Sequence, residues 1–149
     1  MGKRYLIIAS RFNEMISRAL LQGAKDTFSE AGLNASDLEE IWVPGCFELP
    51  VVAAEAARSQ RYSGIICLGC VIQGETPHFD YVAGETARGL MQVGIDTGVP
   101  VIFGVLTTEN EQQALARSGL KGGNKGRDAA QAALSMSRVM GMVKEGSIS

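Results

Sequence analysis

Short apolar runs alternate along the chain with longer stretches in which apolar residues recur at helical spacing. Continuous apolar runs of this length are typical of parallel strands buried on both faces. The longer stretches are typical of helices that pack one face against a core. We expect four strands, at residues 5–9, 41–43, 65–72 and 101–106.

Helices are expected between these strands and at the end of the chain. Asn13 can cap the first helix, and Gly32 should end it. Further helices are predicted over 48–59, from His78 onward, over 109–117 and over 127–143, with a frayed tail at 145–149. Alternation of this kind predicts one domain, residues 1–149, with a four-stranded parallel sheet, right-handed crossovers and helices on both faces.

Composition narrows the classes of partner. The chain has 149 residues, of which 46% are hydrophobic and 20% charged, enough for a substantial core. A net charge of −2 argues against a nucleic-acid partner. No apolar stretch is long enough to span a bilayer, and Arg11 and Asn13 interrupt the only N-terminal apolar run. We therefore expect a soluble, cytoplasmic protein with no membrane partner.

The three cysteines are Cys46, Cys67 and Cys70. An odd number without a secretory signal argues against a disulfide framework. Cys67 and Cys70 lie three apart in an expected strand, so their side chains should point to opposite faces. No metal site is expected, and the thiols are interpreted as small packing residues.

The unusual residues cluster just after the expected strands, where open parallel sheets bind their ligands. The segments are 10–13, 44–48, 73–78 and 107–108. His78, the only histidine, could move protons near neutral pH, or it could be an exposed or capping residue. Phe12 could stack on a flat ring, or it could be a hydrophobic side chain that packs beneath the loop. Glu48 could accept hydrogen bonds from ligand hydroxyls or cap a helix.

Two segments suit a phosphate. Gly74, Glu75 and Thr76 precede a helix, whose first N–H groups attract anions, although the segment also fits an ordinary loop. The basic residues of 121–127, together with Arg117, form a positive cluster that could equally be a solvated turn. No P-loop or dinucleotide-binding glycine pattern is present.

Taken together, these segments resemble lumazine synthase. The matching runs, in order, are RFN (11–13), VPGCFELP (43–50), GCVIQGETPHFDY (69–81), GVPVIFGVLTT (98–108) and GGNKG (122–126). The resemblance covers nearly the whole chain. It implies a three-layer αβα sandwich of flavodoxin-like topology.

The resemblance also implies a reaction. The family condenses 5-amino-6-(D-ribitylamino)uracil with 3,4-dihydroxy-2-butanone 4-phosphate, without metal or organic cofactor. The amine attacks the ketone, phosphate leaves, and ring closure with loss of water gives 6,7-dimethyl-8-ribityllumazine, the precursor of riboflavin.

Roles for individual residues come with the resemblance. Phe12 would stack on the pyrimidine, and His78 would transfer protons. Glu75 and Thr76 would offer backbone N–H groups to phosphate. The remaining substrate-binding residues within one subunit would be Asn13, Cys46, Phe47, Glu48, Cys70, Val71 and Ile72.

Three further residues would come from a neighbouring subunit, with Arg117 binding phosphate and Phe103 and Lys125 completing the site. The family forms homopentamers, and some members assemble twelve of them into an icosahedral shell. Pentamer, paired pentamers and shell all stay open here, as does riboflavin synthase as an enclosed partner.

The sequence departs from the family pattern at a few positions. Cys46 stands where Ala or Ser is usual, Gln73 replaces a common basic residue, and Gly122 replaces a common Ala. Most relatives also carry additional N-terminal residues that add a strand to a neighbour's sheet. Two other functions remain as alternatives: a binding module that holds a flavin or phosphate, and a structural shell protein that has lost catalysis.

Overall fold

A computed structural model describes residues 2–119 and 123–146. Its strands are β1 (Tyr5–Ser10), β2 (Leu38–Val43), β3 (Gly64–Ile72) and β4 (Val101–Thr108). Its helices are α1 (Glu14–Glu30), α2 (Leu49–Arg58), α3 (His78–Thr97), α4 (Glu111–Ala116) and α5 (Lys125–Glu145). Single 3₁₀ turns occur at Ala35–Asp37 and Cys46–Glu48, and the second is named the Cys46 turn. Of the expected frayed tail, Glu145 ends α5, and 147–149 lie outside the described residues.

The four strands form one parallel sheet in the order β2-β1-β3-β4, which confirms the expected fold class. Every residue of β1 is buried, because helices cover both faces of the sheet. Tyr5, Ile7 and Ala9 pack with α1 and α5 on one face. Leu6 and Ile8 pack with α2 and α3 on the other. The result is a three-layer αβα sandwich.

The order of the strands locates a binding crevice. From β1 the chain passes to β2 on one side, and the next strand, β3, then lies on the other side of β1. Ligands of open α/β sheets bind beyond the carboxyl ends of the strands at such a reversal. The segments after β1 and β3 should therefore face a common crevice.

β2 begins at Leu38, three residues before its expected start. We did not expect Glu39 and Glu40 in a strand, because the other strands are apolar runs. β2 is an edge strand, where charged side chains reach solvent. Glu39 pairs with Arg61 at 3.1 Å and Glu40 with Lys25 at 2.8 Å.

The packing of α5 against α1 depends on Asn124, which is 8% exposed. Its Oδ1 accepts hydrogen bonds from the N–H groups of Gly126 and Arg127, so it caps α5. Its Nδ2 donates to the carbonyls of Ala19 and Ser118, both at 3.1 Å. A side chain at Gly126 would collide with the backbone of α1, so the two helices can approach this closely only because glycine occupies that position.

Among the described residues, no helix is both long and apolar enough to cross a membrane.

We predict that Asn124→Ala costs roughly 2–4 kcal/mol of unfolding free energy, because four hydrogen bonds of a buried side chain are lost together. Asn110→Ala is the matched control, because Asn110 also caps a helix but does so at the surface with one bond, to the Gln113 amide. It should cost about 1 kcal/mol. Urea unfolding at equal protein concentration measures both, and equal losses would contradict a special role for Asn124.

Candidate active site

A cleft of about 420 Å³ opens at the carboxyl-terminal edge of the sheet. It is lined by residues from the segments after β1 and β2, the end of β3, and the start of α3. The lining residues are Phe12, Gly45, Cys46, Phe47, Glu48, Cys70, Val71, Ile72, Gly74, Thr76, His78, Phe79 and Val82. Nine of the predicted site residues are therefore brought together within one chain.

Phe12 reaches the cleft because the loop after β1 is held at several points. The Arg11 and Phe12 amides donate to the carbonyls of Val43 and Pro44 at 2.8 and 3.0 Å, so the loop continues the pairing of β1 with β2. The Phe12 side chain is 71% exposed. Such exposure of a large aromatic is expected where a flat ligand or a neighbouring chain covers it.

Asn13 takes the position before α1, as predicted, but its side chain does not cap the helix. Its Nδ2 donates instead to the carbonyl of Cys70 at 3.0 Å. The backbone of Asn13 is left-handed, with φ of 61°, a conformation that asparagine tolerates better than most residues. Asn13 thus joins the Phe12 loop to the end of β3, beside the lining of the cleft.

The Cys46 turn lies against the ends of β1 and β3. The Cys46 sulfur is 3.6 Å from the Ser10 hydroxyl and also contacts the Cys70 amide. A Cβ atom at Gly69 would lie 2.6 Å from that sulfur, so glycine there makes room for the thiol. This contact fixes the turn that carries Phe47 and Glu48 to the cleft.

Glu48 occupies the position before α2 but makes no capping hydrogen bond, so the capping interpretation is wrong. Its side chain is half-buried, and Oε1 would lie 3.1 Å from a Cβ atom at Gly45. The carboxylate therefore folds back over the turn at the edge of the cleft. It is available to accept hydrogen bonds from ligand hydroxyls.

The segment from Gln73 to His78 borders the other side of the cleft. The Gln73 amide donates to the Thr108 carbonyl at 2.8 Å, and the His78 amide donates to the Thr76 hydroxyl at 3.4 Å. In the described part of the chain, no hydrogen bond uses the amides of Glu75 or Thr76. These amides precede α3, whose N-terminus favours an anion. His78 is exposed and begins that helix.

Arg117 and Lys125 meet at the turn between α4 and α5, where the Lys125 amide donates to the Arg117 carbonyl at 2.9 Å. Neither has a carboxylate within 4.0 Å among the described residues, whereas Arg127 pairs with Glu30 at 3.2 Å. Lys121 and Gly122 lie outside the described residues. Phe103 lies on β4, partly buried beside the core of the α2 and α3 face. Phe103, Arg117 and Lys125 do not line the cleft of their own chain.

Phe79 and Val82 also line the cleft, although neither was among the site residues expected from the sequence. Val82 lies four residues after His78, so both belong to the same helix face. Once His78 was a candidate, that spacing could have identified Val82. Gly45 and Gly74 also line the cleft, as neighbours of predicted residues.

The buried thiols are not arranged as a metal or redox site. Cys46 and Cys67 pack on the α2 and α3 face and Cys70 on the opposite face, as predicted for the two strand positions. Burial raises the pKa of Cys67 and, to about 11, that of Cys70, with a smaller contribution from Cys46. In the described ranges, no three potential metal ligands of the His, Cys, Asp or Glu type cluster together.

The chain matches a known protein family. The family described as 6,7-dimethyl-8-ribityllumazine synthase matches residues 2–141, which include every residue of the cleft.

We predict that Cys70 makes stability fall at alkaline pH. Its pKa is about 11 in the folded chain against an ordinary value of 9.0, so the unfolded thiol loses its proton first. The contribution of the Cys70 thiol to the free energy of unfolding is fully present below pH 9. It is lost as pH rises through 11, and the total loss is roughly 2 kcal/mol.

The check is urea unfolding of wild-type and Cys70→Ala protein at a series of pH values. The free energy of the variant should decline less between pH 9 and 11, because both proteins share every other titrating group. Parallel curves would contradict the prediction.

Proposed function

We propose that this chain, which belongs to the 6,7-dimethyl-8-ribityllumazine synthase family, condenses 5-amino-6-(D-ribitylamino)uracil with 3,4-dihydroxy-2-butanone 4-phosphate. As a member of that family it is a lumazine synthase, a transferase, and its step belongs to the riboflavin pathway. The specific substrates are our proposal. The products would be 6,7-dimethyl-8-ribityllumazine, phosphate and water.

The observation that carries this proposal is the layout of the cleft. An exposed aromatic, Phe12, and the Cys46 turn border one part of it. The backbone amides of Glu75 and Thr76, which have no hydrogen-bond partner among the described residues, lie next to His78 and border another part of the cleft. One substrate has a flat ring and a hydroxyl-rich chain, and the other carries a phosphate. The cleft thus offers a different kind of contact to each.

The first part of the cleft suits the uracil. Phe12 would stack on the ring, and Asn13 would hold the Phe12 loop and contact the substrate beside it. The turn residues Cys46, Phe47 and Glu48 would bind the ribityl chain, with the Glu48 carboxylate accepting hydrogen bonds from its hydroxyls. The end of β3 (Cys70, Val71 and Ile72) would form the wall.

The second part suits the phosphate. The amides of Glu75 and Thr76 would donate to its oxygens, and the N-terminus of α3 would favour its charge. Glu75 would act through its backbone. Arg117 of a neighbouring subunit would add a guanidinium, which can bind phosphate through two parallel hydrogen bonds.

The chemistry then follows from placing the amine beside the ketone. Condensation of the amine with the ketone releases one water, elimination then releases phosphate, and ring closure releases a second water. All three steps are redox-neutral, so no electron carrier is required. Much of the acceleration would come from holding two substrates in a reactive arrangement. His78 lies next to the phosphate-binding amides and would transfer protons, as an imidazole can near neutral pH.

The site would be completed by a second copy of the chain. Phe103, Arg117 and Lys125 lie outside the cleft of their own chain, and Phe12 and Phe47 leave 71% and 59% of their surface exposed. We propose a cytoplasmic homopentamer, or a multiple of it, in which these three residues reach the cleft of the neighbour. Riboflavin synthase would be a candidate partner of such an assembly.

The direct test mixes purified protein with both substrates and follows lumazine absorbance and fluorescence against the uncatalysed rate. We expect clear acceleration. An intact oligomer that does not accelerate the reaction would contradict the proposal. Riboflavin binding without product would then support a flavin-binding module, and assembly without either would support a structural shell.

We predict that His78→Ala lowers kcat by about 10- to 100-fold, the lower part of the range for acid–base catalysis. His78→Asn is the matched control, since asparagine keeps hydrogen-bonding capacity but cannot titrate near neutral pH. It should be impaired to a similar degree, because neither variant keeps a side chain that can transfer a proton. Full turnover in either variant would remove proton transfer by His78 from the mechanism.

A further inference from the structure

Thr86 is a buried polar residue whose hydroxyl bonds to a neighbouring segment. It lies on α3, eight residues after His78, and is 1% exposed. Its Oγ1 donates a hydrogen bond of 3.2 Å to the carbonyl of Cys46. The bond therefore connects the helix that carries His78 to the turn that carries Phe47 and Glu48.

This partner is unusual for a threonine inside a helix. Such hydroxyls commonly donate to the carbonyl one turn earlier in their own helix. Thr27 donates to Gly23 in this way at 2.9 Å, and Thr97 donates to Val93 at 2.7 Å. The Thr86 hydroxyl instead satisfies its hydrogen bond across the interface between α3 and the Cys46 turn.

The Cys46 carbonyl that receives this bond also accepts from the Leu49 amide. Both bonds fix the plane of the peptide between Cys46 and Phe47. No cis peptide occurs in the described ranges, so the Phe47 N–H points away from the carbonyl and hence away from Thr86. In the described part of the chain this N–H has no hydrogen-bond partner. It is a donor on a residue that lines the cleft.

We propose that Thr86 is a positioning residue for the uracil-binding part of the site. Its hydroxyl orients the peptide between Cys46 and Phe47 so that the Phe47 N–H is presented to the ribitylaminouracil. The proposal rests on the function proposed above. It assigns Thr86 no contact with substrate and no part in binding the phosphate.

The kinetic test compares Thr86→Val, which keeps the shape of the side chain and removes the hydroxyl, with wild type. Loss of one positioning hydrogen bond should raise the KM for the ribitylaminouracil about fivefold. The KM for the butanone phosphate should stay unchanged, because its contacts lie before α3. Thr86→Ser restores a hydroxyl and should restore the KM.

Thr27→Val is the matched control, because it also removes a buried hydroxyl, one that bonds within its own helix, away from the cleft. It should leave both KM values unchanged. If Thr86→Val raised both KM values equally, or if Thr27→Val reproduced its effect, the role of Thr86 would be merely structural and the proposal would be overturned.

A second readout does not depend on activity. Hydrogen exchange of the amides of residues 46–49, measured in the intact oligomer, should be faster in Thr86→Val than in wild type and unchanged in Thr27→Val. If the wild type makes no lumazine, the proposed function fails, and exchange still decides whether Thr86 holds the turn. Unchanged exchange in Thr86→Val would overturn the positioning role.

Discussion

Parallel pairing of β1 with both β2 and β3 is the constraint from which the site follows. It brings the carboxyl ends of three strands to one edge of the sheet, so that the segments after them must share a crevice. Burial of β1 on both faces holds these strands in register. Contacts between these segments then shape the crevice. The Asn13 side chain donates a hydrogen bond to the Cys70 carbonyl at the end of β3, and the Cys46 sulfur packs against Gly69, which has no side chain to obstruct it.

The cleft is organised by backbone groups more than by side-chain chemistry. Backbone amides of its own loop hold Phe12 in place, and the Cys46 carbonyl holds the Cys46 turn by accepting two hydrogen bonds. The phosphate would bind backbone amides before α3 that have no hydrogen-bond partner among the described residues. A site of this kind accelerates a reaction mainly by placing two substrates together. This is why the proposed contribution of His78 is modest and why a buried threonine can influence binding without touching a substrate.

Much of this arrangement could be predicted from the sequence. Apolar runs and helical spacing predicted the parallel sheet. The segments after the strands contained six of the nine predicted residues that line the cleft, and the family resemblance added Cys70, Val71 and Ile72. The early start of β2 could not be predicted, because two adjacent glutamates, Glu39 and Glu40, are not typical of a buried strand. They are tolerated there because β2 lies at the edge of the sheet, which the sequence does not reveal. The bond of Asn13 to Cys70 and that of Thr86 to Cys46 were also beyond prediction, because both join segments far apart in the chain. From its helical spacing alone, Thr86 could not be distinguished from an ordinary core residue on the buried face of α3.

The central claim is that each site combines the cleft of one chain with Arg117 of another. Subunits carrying Phe12→Ala and subunits carrying Arg117→Ala should each form weakly active oligomers. Co-assembly in equal amounts should restore activity to about a quarter of wild type, since each intact site needs one unaltered half from each of two neighbours. Mixed oligomers no more active than their parents would contradict the shared site and place all catalytic contacts within one chain.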